Sequence, residues 1–107
     1  MTIFWLDRKL ALERAKEAAG RVLAECPDVV RVGIFGSVAT GRAVPGSDVD
    51  VLIVLSQSDE RPLDRPARFQ PYFETVGLPV DLFCFTEDEA AGSRFFQTAA
   101  AQAVWVR

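Results

Sequence analysis

Apolar stretches divide the chain and predict four β-strands. Three longer stretches and one short one have the length of strands: Val29–Phe35, Val49–Leu55, Val80–Phe85 and Ala103–Val106. In the first of them, Val30, Val32 and Ile34 alternate with polar or small residues, and this period of two is typical of a strand. The pattern therefore predicts about four strands, separated by helical and loop segments.

Two segments of the first three quarters of the chain have helical spacing. Within Asp7–Cys26 the apolar residues recur every three or four positions, and Pro27 ends the pattern. Within Pro62–Val76 the aromatic residues also recur at helical spacing, but Pro66 and Pro71 predict a late start or a kink, because proline lacks the N–H that a helix interior needs.

The last quarter predicts one more helix. Gly77 suits the end of the preceding helical segment. Thr86 and Glu89 have the spacing of a capping box, in which each side chain bonds to the backbone N–H of the other residue. We expect the helix that opens there to continue through Phe95–Ala99.

Length and composition allow a single hydrophobic core. The chain has 107 residues, half of them apolar, which is enough for one domain over residues 1–107. No stretch approaches the roughly 20 apolar residues of a membrane span. Asp7, Arg8 and Lys9 stand too early for a secretory signal. We therefore expect a cytoplasmic protein that does not bind membranes.

Charge and cysteine content argue against several partners and sites. The net charge of -3 disfavours a nucleic-acid partner, because binding to phosphate backbones requires a basic surface. A templated polymerase is therefore not expected. Cys26 and Cys84 lack C-x-x-C spacing, so we expect two buried thiols rather than a disulfide or a zinc site.

Asp48 and Asp50 are the leading candidates for chemistry. They stand two residues apart at the start of the second predicted strand, so their side chains project from the same face. Like charges held this close repel each other unless a cation lies between them. Oxygen ligands without nearby His or Cys favour Mg²⁺ or Mn²⁺ over zinc. The pair therefore predicts a site for a divalent cation.

Gly36 and Ser37 follow the first predicted strand and indicate a tight turn suited to an anion. The glycine lets the backbone approach a ligand closely, and the serine hydroxyl lies beside the amides of the turn. A short helix opening at Val38 would direct its free N–H groups to the same point. An anion cradle beside a cation-binding pair predicts a site for a metal-chelated polyphosphate.

The segment from Gly36 to Asp50 resembles the signature of the nucleotidyltransferase superfamily related to DNA polymerase β, in its short prokaryotic form, the minimal nucleotidyltransferase (MNT) domain. That signature joins a Gly-Ser turn, a further Gly, a Ser-Asp-x-Asp strand and a third Asp on a later strand. The matching residues are Gly36, Ser37, Gly41, Ser47, Asp48, Asp50 and Asp81. The resemblance implies an α+β fold: a small mixed β-sheet of about four strands with helices packed on one face.

The resemblance also implies roles for individual residues. It assigns catalysis and the binding of two Mg²⁺ ions to three carboxylates: Asp48, Asp50 and Asp81. It assigns the binding of ATP, the nucleotide donor, to Gly36, Ser37, Arg42 and Ser47. Because the chain has no histidine, Asp81 is the expected base for the attacking hydroxyl.

The spacer between Gly36 and Asp50 departs from the family pattern in its charge. Family members often carry further basic residues there, whereas this chain has Val38, Thr40 and Val44 at the corresponding positions. Arg42 is the only cation of the spacer. With fewer basic residues in the spacer, we expect a lower affinity for a triphosphate.

A partner protein follows from the same resemblance. Stand-alone MNT domains resemble the antitoxin of two-gene modules whose toxin is an all-helical HEPN ribonuclease, and this family is associated with transfer of AMP from ATP to a tyrosine of the toxin. The resemblance thus implies a protein adenylyltransferase that forms a hetero-oligomer with a HEPN toxin. A homodimer is the alternative assembly. The chain ends one helix and one short strand after Asp81's strand, so we expect another molecule to supply the acceptor.

Two other functions stay open. A binding-only antitoxin could mask its partner without catalysis, and the weakly basic spacer favours this alternative. A small hydroxylated molecule could instead be the acceptor, as in similar aminoglycoside nucleotidyltransferases.

Each motif also has a purely structural interpretation. Asp48 could cap a turn, Asp50 could face solvent, and Gly36 could belong to an ordinary turn between a strand and a helix. Asp81 could be a structural carboxylate, although burying it without a partner would be costly. Five aromatic residues are interpreted as core or partner-facing surface rather than as a platform for a nucleobase: Phe4, Trp5, Phe95, Phe96 and Trp105.

Overall fold

The structure is a computed structural model that describes residues 3–41 and 48–106. Arg42 and Ser47, two of the expected ATP-binding residues, lie outside the described residues. In the two described ranges, no helix has both the length and the apolar character needed to cross a membrane.

The described residues form helices and strands close to the predicted positions. In chain order these are α1 (Ile3–Glu25), β1 (Val29–Phe35), α2 (Gly36–Thr40), β2 (Val49–Leu55), α3 (Pro66–Phe69), β3 (Val80–Thr86), α4 (Glu87–Ala91), α5 (Arg94–Gln102) and β4 (Val104–Val106). Two 3₁₀ segments, Pro62–Asp64 and Gln70–Val76, lie on either side of α3. The four predicted strands are confirmed.

The four strands form one mixed sheet in the order β3-β2-β1-β4. Strand β2 is parallel to β3, whereas β1 is antiparallel to both β2 and β4. The long connection from β2 to β3 contains α3, as a parallel pair requires a crossover. The α+β class with a four-stranded mixed sheet is therefore confirmed.

The helices differ in one respect from the predicted arrangement, because they cover both faces of the sheet. On one face, α1 and the segment after β2 pack against β1 and β2, with Val22, Ile53 and Phe69 in the core. On the other face, α4 and α5 cover Leu52 and Val54 of β2 in a smaller core. The apolar residues of β2 face both sides, so neither face can be left open to water.

Two predicted helices are interrupted. Pro66 begins α3 and Pro71 lies in the first turn of the second 3₁₀ segment, so the expected helix over Pro62–Val76 is divided into short pieces. Gly77 ends this region at φ 89°, as expected. The sequence had not predicted a second break, which falls at Gly92 and Ser93.

That second break separates α4 from α5. The capping box at Thr86 is confirmed: its hydroxyl accepts from Glu89 N at 3.2 Å, and Glu89 Oε1 accepts from Thr86 N at 3.0 Å. Helix α4 nevertheless ends at Ala91. Ser93 then caps a new helix, since its Oγ accepts from Phe96 N at 3.0 Å.

Candidate functional site

Asp50 lies between Phe35 and Asp81 in one row across the sheet, called here the carboxylate row. The register of β1 and β2 pairs Phe35 with Asp50, and the register of β2 and β3 pairs Asp50 with Asp81. Residues paired in this way project from the same face, and neighbouring strands lie about 4.8 Å apart. The structure thus brings together two of the acids that the sequence singled out.

Asp48 joins this group from the segment just before β2. It is exposed and precedes Asp50 by two residues. Val49 N donates to Pro79 O at 2.8 Å, so the starts of β2 and β3 are held side by side. This bond places Asp48 next to Asp81, and the charge of Asp48 contributes to the raised pKa of Asp81.

Two of the three carboxylates, Asp50 and Asp81, have raised pKa values. Burial raises the pKa of Asp50 most, and the charges of Asp81 and Asp48 raise it further. Burial also raises the pKa of Asp81 most, followed by the charge of Asp48 and a hydrogen bond to it. Within residues 3–41 and 48–106, no basic side chain offsets either shift. Among the described residues, the negative charge of Asp50 and Asp81 therefore has no compensating cation.

The carboxylates of Asp48, Asp50 and Asp81 are suitable ligands for a hard divalent cation, although they are not yet close enough together to coordinate one. All the donors are carboxylate oxygens, which Mg²⁺ prefers. In the described part of the chain, no three His, Cys, Asp or Glu side chains are close enough to form a ready metal site. Charge acts over longer distances than a metal–oxygen bond of about 2.1 Å. Asp48, Asp50 and Asp81 are thus electrostatic neighbours that a cation could draw closer, and they fit the proposed ion.

Gly36 brings the turn after β1 against the carboxylate row. Its φ of 79° lies in the left-handed region, and a Cβ at this position would collide with Asp50 Oδ2. Only glycine meets both conditions without strain. The backbone of the turn therefore runs directly beside Asp50.

Helix α2 holds the remainder of the turn. The N-cap residue of α2, Phe35, makes no side-chain hydrogen bond to the N–H groups of the first turn. At the other end, Thr40 Oγ1 donates to Gly36 O at 3.2 Å, and Gly41 at φ 80° donates its N–H to Ser37 O. These bonds connect the end of α2 to its first turn.

Two nearby residues were not identified from the sequence. Phe35 belongs to the carboxylate row because it is paired with Asp50 across β1 and β2. The alternation of residues within one strand does not show which residue of the neighbouring strand lies opposite. Arg8 of α1 lies beside Gly41, with its Nη1 3.5 Å from where a Cβ on that glycine would stand. Arg8 is distant from the spacer in sequence, and only the packing of α1 on α2 brings it close.

Comparison with known proteins agrees with this geometry. The family profile of the nucleotidyltransferase domain matches residues 15–102. A provisionally assigned nucleotidyltransferase from Sulfolobus solfataricus has a TM-score of 0.68 and 24% identity, over 98% of this chain and 86% of that one. A toxin–antitoxin structure with AMP-PNP has a TM-score of 0.64 and 16% identity, over 84% of this chain and 70% of that one.

A third solved structure is more similar in sequence. It is a provisionally assigned minimal nucleotidyltransferase, with a TM-score of 0.59 and 31% identity over 87% of this chain and 93% of that one. No curated protein matches the chain at a significant level. The profile match includes the strands that carry Asp50 and Asp81. By this match and by the 31% identity, the chain belongs to the nucleotidyltransferase-domain family.

Proposed function

We propose that this protein is a metal-dependent nucleotidyltransferase that transfers AMP from Mg·ATP to a hydroxyl acceptor. The observation that carries the proposal is the carboxylate row, in which Asp50 and Asp81 share one face of the sheet directly beside Gly36. A polyphosphate chelated to a divalent cation needs this combination of acids and close backbone.

Each residue of the site has a role in this proposal. Asp48, Asp50 and Asp81 hold the two Mg²⁺ ions, which when bound neutralise phosphate charge and make the attacking hydroxyl more acidic. The amides and hydroxyl at Gly36 and Ser37 bind the departing phosphates. The carboxylate of Asp81 accepts the proton of the hydroxyl, whose oxygen bonds to the α-phosphorus as the bond to pyrophosphate breaks.

The proposed acceptor is a tyrosine of a HEPN toxin, which would make this protein an antitoxin. The resemblance of Gly36–Asp50 to the MNT signature supports this choice. The structural neighbour that is a toxin–antitoxin with AMP-PNP is in keeping with it, although 16% identity supports only a shared fold. Arg42 and Ser47 stay in the proposal as further contacts to the nucleotide.

Replacing Asp50 tests the proposed chemistry. We expect Asp50→Asn to reduce AMP transfer by about 100-fold or more and to abolish Mg²⁺-dependent ATP binding, because one carboxylate of the shared row is lost. Asp59→Asn is the matched control, since Asp59 is an exposed acid in the loop after β2. Near wild-type turnover of Asp50→Asn with Mg·ATP would refute the role given to this carboxylate.

Labelling of a partner tests the proposed acceptor. Incubation with α-labelled ATP and a co-encoded helical protein should label that protein on a tyrosine, and replacing the tyrosine by phenylalanine should remove the label. A partner that is inhibited but stays unlabelled would favour the masking antitoxin instead. That second candidate is kept because the described carboxylates do not form a ready ligand set.

A further inference from the structure

Phe95 presents a half-exposed aromatic ring next to the carboxylate row. The residue is 48% exposed. Its ring centroid lies 5.2 Å from that of Phe83 and 6.0 Å from that of Phe35. Both distances are typical of aromatic pairs in contact. The three rings form one surface, called here the aromatic platform.

The platform begins in the carboxylate row itself. Phe35 is paired with Asp50 across β1 and β2. Phe83 follows Asp81 by two residues on β3, so it projects from the same face one row further along, at about 7 Å. Phe35 and Phe83 therefore share one face of the sheet with the acids, and Phe95 of α5 packs against both rings.

Helix α5 fixes Phe95 in its exposed position. The next residue, Phe96, is buried against Phe85 and Trp105, with ring centroids 5.4 and 6.5 Å away. Ser93 caps the same turn by accepting from Phe96 N. The exposed ring of Phe95 thus belongs to an anchored turn, so its orientation is established before any ligand binds.

We propose that the aromatic platform binds the base of the donor nucleotide, with the exposed face of Phe95 stacked against it. This inference rests on the proposed function, because phosphates bound at the carboxylate row would hold the base of the same nucleotide within reach of Phe83 and Phe95. A base offers an aromatic face for stacking. The interpretation of Phe95 as core or partner-facing surface is replaced in this proposal.

The composition of the aromatic platform also predicts its selectivity. Phe35, Phe83 and Phe95 carry no side-chain hydrogen-bonding group, so they recognise the area of a base rather than its edge. Purine nucleotides should therefore bind more tightly than pyrimidine nucleotides, with little difference between ATP and GTP.

Calorimetry with two probes tests the proposal. Mg·ATP contains a base, whereas Mg·tripolyphosphate has only the phosphates. We expect Phe95→Ala and Phe95→Leu to bind Mg·ATP about tenfold more weakly, from the loss of stacking, and to bind Mg·tripolyphosphate as the wild type does. Phe95→Trp should retain ATP affinity. Leu63→Ala is the control, because Leu63 is an apolar residue that is 93% exposed beside the outer edge of β3.

The possible outcomes separate this inference from the proposed function. If Phe95→Ala binds Mg·ATP like the wild type, or loses both probes equally, the aromatic platform does not bind the base and the proposed function still stands. If Phe95→Ala keeps its ATP affinity but no longer labels a partner, the ring is a partner contact and the inference is wrong. If the wild type binds neither probe, both proposals fail. Circular dichroism of each variant confirms that it is folded.

Discussion

At the scale of single residues, the site depends on one missing Cβ. Gly36 has positive φ, and Asp50 occupies the space that any larger residue would need. The alternation of a strand was sufficient to predict that Asp48 and Asp50 share a face. The pairing of Asp50 with Asp81 was not predictable in this way, because it depends on the register of two strands joined by a long crossover.

Gly36→Ala should therefore lower stability and disturb the site together. We expect the free energy of unfolding to fall by about 1–3 kcal/mol, because an L-residue is strained at this φ and its Cβ collides with Asp50. Mg·ATP binding should weaken in the same variant. Urea denaturation and calorimetry measure the two effects.

Gly20→Ala is the matched control for this substitution. Gly20 lies within α1, and a Cβ there would meet nothing within 4 Å. Alanine should raise the free energy of unfolding by about 0.5–1 kcal/mol, since glycine is the poorer helix former. If the two glycine variants were equally stable, the claim that Asp50 leaves no space for a Cβ at position 36 would be wrong.

At the scale of elements, the outer edge of β3 is closed by side chains from the crossover and from α4. Gln70 Nε2 donates to Val80 O at 3.2 Å, and Arg65 Nη1 donates to Cys84 O at the same distance. Arg65 also forms a two-bond ion pair with Glu89, at 2.6 and 3.1 Å. These groups occupy acceptors that would otherwise be available to another strand.

Several of these element-level features could not be derived from the sequence. The strands and the capping box were predicted because their signals are local. Arg65 stands among polar loop residues and prolines, where nothing indicates that its side chain becomes 3% exposed. The break after Ala91 was also missed, because a single glycine such as Gly92 is tolerated within a helical pattern; here Gly92 ends α4 and Ser93 caps a new helix.

Removing the Arg65 side chain should destabilise β3 and open its edge. We expect Arg65→Met to lower the free energy of unfolding by about 1–3 kcal/mol, because the Cys84 carbonyl loses its donor inside the protein. Arg61→Met is the control, since the Arg61–Asp64 pair is largely exposed and should contribute about 0–1 kcal/mol. Light scattering should show self-association of Arg65→Met through the opened edge of β3, and none for Arg61→Met. Equal stability of the two variants would contradict the role given to Arg65.

The same ion pair predicts how stability depends on pH. Arg65 lowers the pKa of Glu89 from 4.5 to about 2, mainly through its hydrogen bonds. The folded pKa is depressed, so the contribution to stability is present above pH 4.5 and is lost as the pH falls towards 2. Glu89 is 41% exposed, and screening reduces this contribution to the order of 1 kcal/mol.

Glu89→Gln isolates this contribution. The variant should be less stable than the wild type at neutral pH, and the difference in the free energy of unfolding should shrink between about pH 4.5 and 2. Denaturant titrations at several pH values measure the difference. A gap that stays constant over this range would show that the ionised Glu89 is not responsible.

At the scale of the whole molecule, the carboxylate row exists only when β2 and β3 are paired. Asp50 and Asp81 have raised pKa values in the folded state. An acid with a raised pKa stabilises the folded state only below that pKa, and the contribution is lost as the pH rises through it. At neutral pH the metal-free fold therefore carries a penalty that a bound cation would remove.

Asp81→Asn should separate this penalty from metal binding. Without metal at neutral pH, the variant should be at least as stable as the wild type, because one repelling charge is gone. Mg·ATP at 100 times its Kd should stabilise the wild type by about 2.7 kcal/mol and leave the variant nearly unchanged. Thermal unfolding with and without Mg·ATP measures both. Equal stabilisation of the two proteins would place the ion elsewhere.

Strand β2 carries Asp50 while its other residues form the centre of both cores. Every residue of Val49–Leu55 except Asp50 is buried. A genetic selection for inactive alleles will consequently recover changes along the whole strand, and most of them will deplete the protein in cells by degradation. Immunoblots should distinguish the two kinds of allele, because among the positions of this strand only Asp50 should yield inactive protein at normal abundance.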